Sequence, residues 1–72
     1  MSPLTAELTP VEEALRRHCH PAVRRIGLEE TATAVTLTGA VPSYYLKQLA
    51  QEAVLPLLGG RQLHNRIEVT RE

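Results

Sequence analysis

The chain has 72 residues, with eight Lys or Arg and eight Asp or Glu, so its formal net charge at pH 7 is zero. A chain of this length forms one domain with a small core, and zero net charge gives no general attraction for nucleic acid or an anionic membrane. The single cysteine excludes an internal disulfide and a cysteine-rich metal cluster. The first residues lack both the charge pattern of a signal peptide and a membrane span, so we expect a cytoplasmic protein.

The beginning of the chain predicts a leader followed by a capped helix. Residues 1–8 include Pro3 and short polar residues and offer little to bury, so we expect them to form a flexible leader before a single domain over residues 9–72. Thr9, a proline in the first helical position and Glu12 form the pattern of a capping box. The apolar positions that follow predict a first helix that ends at Pro21.

Two strands are predicted next, because the apolar residues change to a period of two. Ile26 and Leu28 alternate with polar residues, which predicts strand 1 over residues 24–30. Residues 31–33 contain no Gly, Asn or Asp, so we expect a longer loop there instead of a tight primed turn. Residues 35–41 form strand 2, with these residues on one face: Val35, Leu37, Gly39 and Val41.

Strand 2 leads directly into the second helix. Ser43 follows a proline and supplies the side-chain oxygen that a helix N-terminus prefers. Pro56 should kink or end the helix, and Gly59 and Gly60 then permit a chain reversal. The apolar stripe of this helix has the spacing of a helix that packs on a sheet: Leu46, Leu49, Ala50, Ala53, Val54 and Leu57.

The last run of residues alternates as a third one-sided strand, with Leu63, Asn65, Ile67 and Val69 on one face. The order helix, strand, strand, helix, strand predicts an α+β two-layer sandwich in which two helices cover one face of a three-stranded mixed sheet. Strands 1 and 2 should pair antiparallel, and strands 2 and 3, which a right-handed crossover connects, should be parallel if they are neighbours; the strand order stays open. The threonine-rich and charged face of the sheet stays open to water or a partner.

The segment from Val35 to Ser43 resembles the strand-to-helix signature of the BON domain, and the closing residues add a second match: Gly59, Leu63, Asn65, Ile67 and Val69. Thr33 and Gly60 depart from the family's usual glycine and apolar residue. The resemblance extends over residues 9–70 and implies the same order of helices and strands. It also implies a non-catalytic module, without active-site residues or cofactor, that binds phospholipid or cell-envelope surfaces or other protein domains.

The candidate binding residues lie at the start of helix 2 and near the end of helix 1. Neighbouring helical positions diverge by about 100°, so at least one of Tyr44 and Tyr45 must project away from the sheet. Tyrosine at a helix end suits a protein contact, a membrane interface or the rim of a small core. Positive charge for phosphate headgroups can come from Lys47 and from an arginine patch, although nearby glutamates favour an ordinary solvated surface; the patch consists of Arg16, Arg17, Arg24 and Arg25.

Other polar residues receive structural interpretations. We expect Gly39 to permit close packing beneath helix 2, and Asn65 to tether a loop through a side-chain hydrogen bond. His18, Cys19 and His20 carry atoms that bind zinc or copper, but adjacent helical positions point in different directions. We therefore predict no metal site and interpret these residues as a helix C-terminus.

The sequence as a whole predicts a non-enzymatic interaction module. We expect it to bind protein partners, or a second copy of itself, through the open sheet face or the edge of strand 3. The alternative is peripheral phospholipid binding through the tyrosine-bearing end of helix 2, which would place the protein at the inner membrane face. Nucleic acid is disfavoured because the strands carry no exposed aromatic residues and no glycine-rich clamp is present.

Overall fold

The computed structural model of the protein describes residues 8–70. The predicted flexible leader lies outside the described residues except for Leu8, which is exposed. Helices and strands alternate along the chain as an α+β fold, which confirms the predicted class. The helices and strands are α1 (Pro10–Arg16), α2 (Pro21–Arg24), β1 (Gly27–Glu30), β2 (Ala34–Thr38), β3 (Ala40–Val41), α3 (Tyr44–Val54), β4 (Gln62–Asn65) and β5 (Glu68–Val69).

The three-stranded sheet has β2 at its centre, with the strand order β1, β2, β4. β1 and β2 are antiparallel, with Leu28 opposite Leu37, and β2 and β4 are parallel, with Leu37 opposite Asn65. The predicted antiparallel hairpin and the parallel pairing of the second and third predicted strands are therefore confirmed. Helix α3, which connects β3 to β4, packs against both α1 and α2.

The first helical region is two helices, where one was predicted. α1 ends at Arg16, and α2 begins at Pro21 with His20 as its N-cap, whose Nδ1 accepts the N–H of Ala22 at 3.1 Å. Proline suits the first position of a helix, so Pro21 opens α2, and the prediction that the first helix ends at Pro21 is wrong because α1 already ends at Arg16. The prediction that strand 1 starts at residue 24 is consequently wrong, since the strand begins at Gly27.

The turn between β1 and β2 is tight, so the expected longer loop is also wrong. The N–H of Thr31 donates to the carbonyl of Ala34 at 2.8 Å, and the Thr31 hydroxyl accepts the N–H groups of Thr33 and Ala34 at 3.3 and 3.0 Å. This hydroxyl takes the role that a turn-forming Asn or Asp would otherwise have. Neither Ala32 nor Thr33 has a positive φ, so the prediction against a primed turn is confirmed.

Gly39 divides the predicted second strand into β2 and β3. Its φ of +121° is a conformation that glycine adopts without strain. The predicted packing of Gly39 beneath the second helix is wrong: the residue is exposed, and a Cβ built there would have Gly27 and Ile26 as its nearest neighbours, at 3.8 Å. The parallel register nevertheless continues across this break, because Ala40 lies opposite Glu68 just as the β2 residues lie opposite β4.

Helix α3 has the predicted ends. The Ser43 hydroxyl accepts the N–H of Leu46 at 3.3 Å, and the helix stops at Val54, where Leu55–Leu57 continue as a 3₁₀ turn around the proline. Gly59 and its neighbour then reverse the chain with positive φ values of 63° and 88°. The buried core unites the helices with the inner sheet face and consists of Val11, Leu15, Val23, Ile26, Val35, Leu37, Val41, Leu46, Ala50, Val54 and Ile67.

Candidate functional site

Two adjacent tyrosines are the most exposed large apolar side chains in the described part of the chain. Tyr44 and Tyr45 are 62% and 67% exposed and occupy the first turn of α3, and the exposed Pro42 lies just before the N-cap of this helix. We call Pro42, Tyr44 and Tyr45 the tyrosine tip. A pair of aromatic rings held on a capped helix presents a large contact area that has little conformational entropy to lose on binding.

The side chains of the two tyrosines leave α3 in different directions. The Asn65 Nδ2 donates to the Lys47 carbonyl at 3.3 Å and to the Gln51 Oε1 at 3.0 Å, so this side of α3 lies beside the edge strand β4. Tyr44 precedes Lys47 by three residues and therefore lies on the same side of the helix. Tyr45 is rotated by about 100° from Tyr44. The tip thus presents two exposed rings that leave α3 in directions about 100° apart.

The predicted arginine patch is largely occupied by structural hydrogen bonds. The Arg24 Nη1 donates to the His18 carbonyl at 2.8 Å, and the Arg16 Nη1 donates to the carbonyls of Arg24 and Ile26 at 3.1 and 2.9 Å. Both guanidinium groups therefore hold the main chain around α2 in place. Arg25 is the C-cap residue of α2 and is exposed.

The histidines also bind the main chain. The Nδ1 of His18 accepts the N–H of His20 at 3.0 Å, as the Nδ1 of His20 accepts that of Ala22. In a neutral imidazole the proton then lies on Nε2, which leaves that nitrogen without a lone pair for a metal ion. Cys19 is exposed between them, and residues 8–70 contain no group of three or more His, Cys, Asp or Glu side chains that could hold a metal.

A polar cluster that the sequence analysis missed joins three parts of the fold. Glu30 accepts hydrogen bonds from the Thr9 hydroxyl and from the Arg61 Nη1, the latter at 2.9 Å, while the Arg61 Nε donates to the Leu58 carbonyl at 2.7 Å. Burial raises the pKa of Glu30, but the two hydrogen bonds and the positive charge of Arg61 outweigh it, so the pKa lies below its ordinary value. Strand alternation was the available signal, because Glu30 lies opposite the buried Val35.

The chain resembles one known protein family over nearly its whole length. A family model described as the BON domain matches residues 9–71, nearly the whole chain. The chain belongs to the BON domain family. BON domains are known as phospholipid- or membrane-binding or interaction domains and are generally non-catalytic. Searches of curated proteins and of solved structures gave no significant match.

The residues by which this BON domain resembles its family serve to hold the fold together. Ser43 caps α3, Gly59 adopts a left-handed conformation, and Asn65 joins β4 to α3. Ser43 and Asn65 bond to α3 directly, and Gly59 permits the chain reversal after it. Residues 8–70 enclose no detectable pocket, and none of their helices has the length and hydropathy needed to cross a bilayer.

The open face of the sheet is the second candidate surface of this BON domain. Glu29, Thr36 and His64 form a row across the three strands, in which Thr36 is half-buried and the other two are exposed. These side chains are polar and differ in kind from the tyrosine tip. A contact on this face would be predominantly polar.

Proposed function

We propose that this BON domain is a non-catalytic module that binds another protein through the tyrosine tip. The observation that carries the proposal is the exposure of two neighbouring rings, Tyr44 and Tyr45, at 62% and 67%. Tyrosine is enriched at protein interfaces and among the residues that dominate binding energy, because it buries a large apolar area and keeps a polar hydroxyl. The remaining exposed positions of α3, Gln48 and Glu52, are polar.

The hydrogen bonds that the arginines form within the chain favour a protein over a phospholipid headgroup as the ligand. Recognition of an anionic surface requires clustered cations that point into solvent. Arg16 and Arg24 instead donate to main-chain carbonyls, and Arg17 forms an ion pair of 3.4 Å with Glu13. The chain also has no net charge to attract such a surface. Aromatic burial is then the main source of binding energy at the tip.

Two observations support a non-catalytic role: BON domains are generally non-catalytic, and the reactive side chains of this chain form hydrogen bonds within the fold. His18 and His20 accept main-chain N–H groups, and neither imidazole has its Nδ1 available for proton transfer. Glu30 is held by Thr9 and Arg61 in a cluster that fastens α1 and the loop before β4 to the sheet. These groups stabilise the fold, and the tip carries only the weakly acidic phenols.

Site-specific photo-crosslinking tests the proposal. A photoreactive phenylalanine analogue replaces Tyr44 or Tyr45 in the full chain inside its native cell, and the matched control variants carry it at Gln48 or Glu52 on the same helix. We expect a protein adduct from the tip positions and not from the controls. The captured protein should bind the purified domain, and Tyr44→Ser with Tyr45→Ser should abolish that binding while the unfolding midpoint in urea stays unchanged.

Phospholipid binding is the second candidate, because Tyr44 and Tyr45 also have the amphipathic character of membrane-interface residues and Lys47 lies one turn away. Under this alternative the protein binds peripherally at the inner face of the cytoplasmic membrane. Co-sedimentation with vesicles of pure phosphatidylcholine and of mixed phosphatidylcholine and phosphatidylglycerol tests it. Binding that the double serine variant loses would replace the protein-interaction proposal, and absence of binding to both vesicles would eliminate the lipid alternative.

A further inference from the structure

The outer edge of β1 directs main-chain groups away from the sheet. β1 is an end strand of the three-stranded sheet and pairs with β2 alone. The N–H of Thr31 donates to the Ala34 carbonyl at 2.8 Å, so the odd-numbered residues of this strand direct their backbone groups toward β2. The even-numbered residues direct theirs to the opposite side. The N–H and C=O groups of Leu28 and Glu30 therefore point outward from the sheet.

The open part of this edge is short and has defined ends. The N–H of Ile26 donates to the Val23 carbonyl at 3.2 Å, and the carbonyl of Ile26 accepts the Arg16 Nη1 at 2.9 Å. The backbone of Ile26 is therefore already bonded within the chain, and the tight turn to β2 ends the edge on the other side. An added strand can form backbone hydrogen bonds with Leu28 and Glu30 only.

Acidic side chains lie on both faces of this edge. Glu29 is exposed on the open face of the sheet, and Glu12 is half-buried on the helix side. Glu12 comes three residues after Thr9 and four before Arg16, which bond to β1 and to the residue before it, so it lies on the side of α1 nearest to this strand. The ion pairs within residues 8–70 involve other glutamates. Both carboxylates are therefore available to a cation from a partner.

The same charges disfavour a second copy of the chain as the occupant of the edge. Antiparallel pairing of two β1 strands about Glu29 brings the two Glu29 carboxylates opposite each other, and like charges in that position are repulsive. Pairing about Leu28 instead places Glu30 opposite Ile26, whose N–H and C=O groups are already bonded. A strand of different sequence, with a cation in the central position, meets neither obstacle.

We propose that the β1 edge binds an extended segment of another protein as an added antiparallel strand, with Lys or Arg opposite Glu29. The residues on either side of this cation exchange backbone hydrogen bonds with Leu28 and Glu30. Their side chains lie on the helix side, where an apolar residue extends the packing of the partly buried Leu28 against the core. The edge shares no residue with the tyrosine tip, so this inference goes beyond the proposed function and does not depend on it.

A short peptide tests the proposal by NMR titration of the full chain labelled with ¹⁵N. The probe is acetylated and amidated, with threonine ends and a central lysine between two valines. We expect saturable shifts of the Leu28 and Glu30 amide signals, with a dissociation constant on the order of 1 mM because few backbone bonds form. Glutamate in place of the lysine should weaken binding at least about tenfold. Glu29→Lys should reverse this preference, and Glu52→Lys on α3 is the matched control that should retain it.

Three outcomes overturn the proposal: no saturable shift up to ~10 mM peptide, shifts at amides away from β1, and equal binding of a peptide whose two valine nitrogens are methylated. The last would show that charge attraction alone holds the peptide. Tyr44→Ser with Tyr45→Ser should bind the probe like the wild type. Loss of probe binding therefore refutes only the β1 inference, and absence of adducts at the tip refutes only the proposed function. The amide spectrum of each variant verifies folding, which exposed positions should preserve.

Discussion

Replacement of Arg61 by Met should remove the clamp between the loop before β4 and the sheet. The guanidinium donates to the Leu58 and Leu57 carbonyls at 2.7 and 3.4 Å and to Glu30 at 2.9 Å. The ion pair is mostly shielded, with side-chain exposures of 23% for Arg61 and 16% for Glu30. Loss of these bonds, together with a carboxylate left partly buried without its cation, should lower the free energy of unfolding by about 2 kcal/mol. For a domain of this size the thermal midpoint should then fall by roughly 8–16 °C.

Urea denaturation followed by circular dichroism measures this loss, and a constant m-value shows that the native and unfolded states remain comparable. The matched control is Arg17→Met, because Arg17 pairs with Glu13 at 3.4 Å with side-chain exposures of 74% and 47%. That surface pair should contribute less than about 0.5 kcal/mol. A double-mutant cycle with Glu30→Gln should give a coupling of about 1 kcal/mol between positions 30 and 61. Equal losses for Arg61→Met and Arg17→Met would refute the clamp assigned to Arg61.

The same cluster predicts a pH dependence. Hydrogen bonds from Thr9 and Arg61 hold the pKa of Glu30 below 4.5, its ordinary value and the value expected in the unfolded chain. The stabilisation from this shift is therefore complete above pH 4.5 and disappears as the pH falls through the lower pKa of the folded state. Glu30→Gln has no such group to titrate, so the stability advantage of the wild type over this variant should shrink below pH 4.5. Urea titrations at several pH values measure it, and a constant difference would contradict the shift.

Three further substitutions test the placement of α3 and the sheet break, each by urea denaturation. Gly39→Ala should cost about 1–3 kcal/mol because of the backbone strain at φ +121°, and a neutral result would show that the break relaxes. Ser43→Ala should cost about 1 kcal/mol through loss of the α3 cap, whereas Ser43→Asp should retain stability. Asn65→Ala should cost about 2 kcal/mol because its amide bonds to Lys47, Gln51 and Ile67, and a loss below about 0.5 kcal/mol would mean that water replaces them.

The regular part of the fold was predictable because periodicity reports burial directly. Alternation from Val35 to Val41 and the stripe of α3 identified the strand, the helix and their buried faces, as the fully buried Leu37 and Ala50 show. The turn at Thr31 was not predictable, because its geometry depends on a hydroxyl that accepts two main-chain N–H groups. Propensity favours Gly or Asn at such positions, and a threonine gives no comparable local signal.

The candidate site was predictable only where a side chain points into solvent. The helical phase of α3 indicated that Tyr44 or Tyr45 must leave the sheet, and both are exposed. The arginines near α2 gave no equivalent indication, because Arg16 and Arg24 bind carbonyls that converge only after the chain folds around Pro21. A cluster of basic residues in a sequence therefore does not distinguish cations that support the backbone from cations that face a ligand.

Asn65 links the position of α3 to the edge of the sheet. Its Nδ2 fixes α3 above β4 through Lys47 and Gln51, which determines where Tyr44 stands relative to the strand edge. Its Oδ1 satisfies the N–H of Ile67, the residue at which β4 gives way to β5. A backbone donor at an open edge would otherwise have to be paired by water or another chain. The side chain that positions the tyrosine tip thus also determines which backbone groups of that edge remain available for pairing.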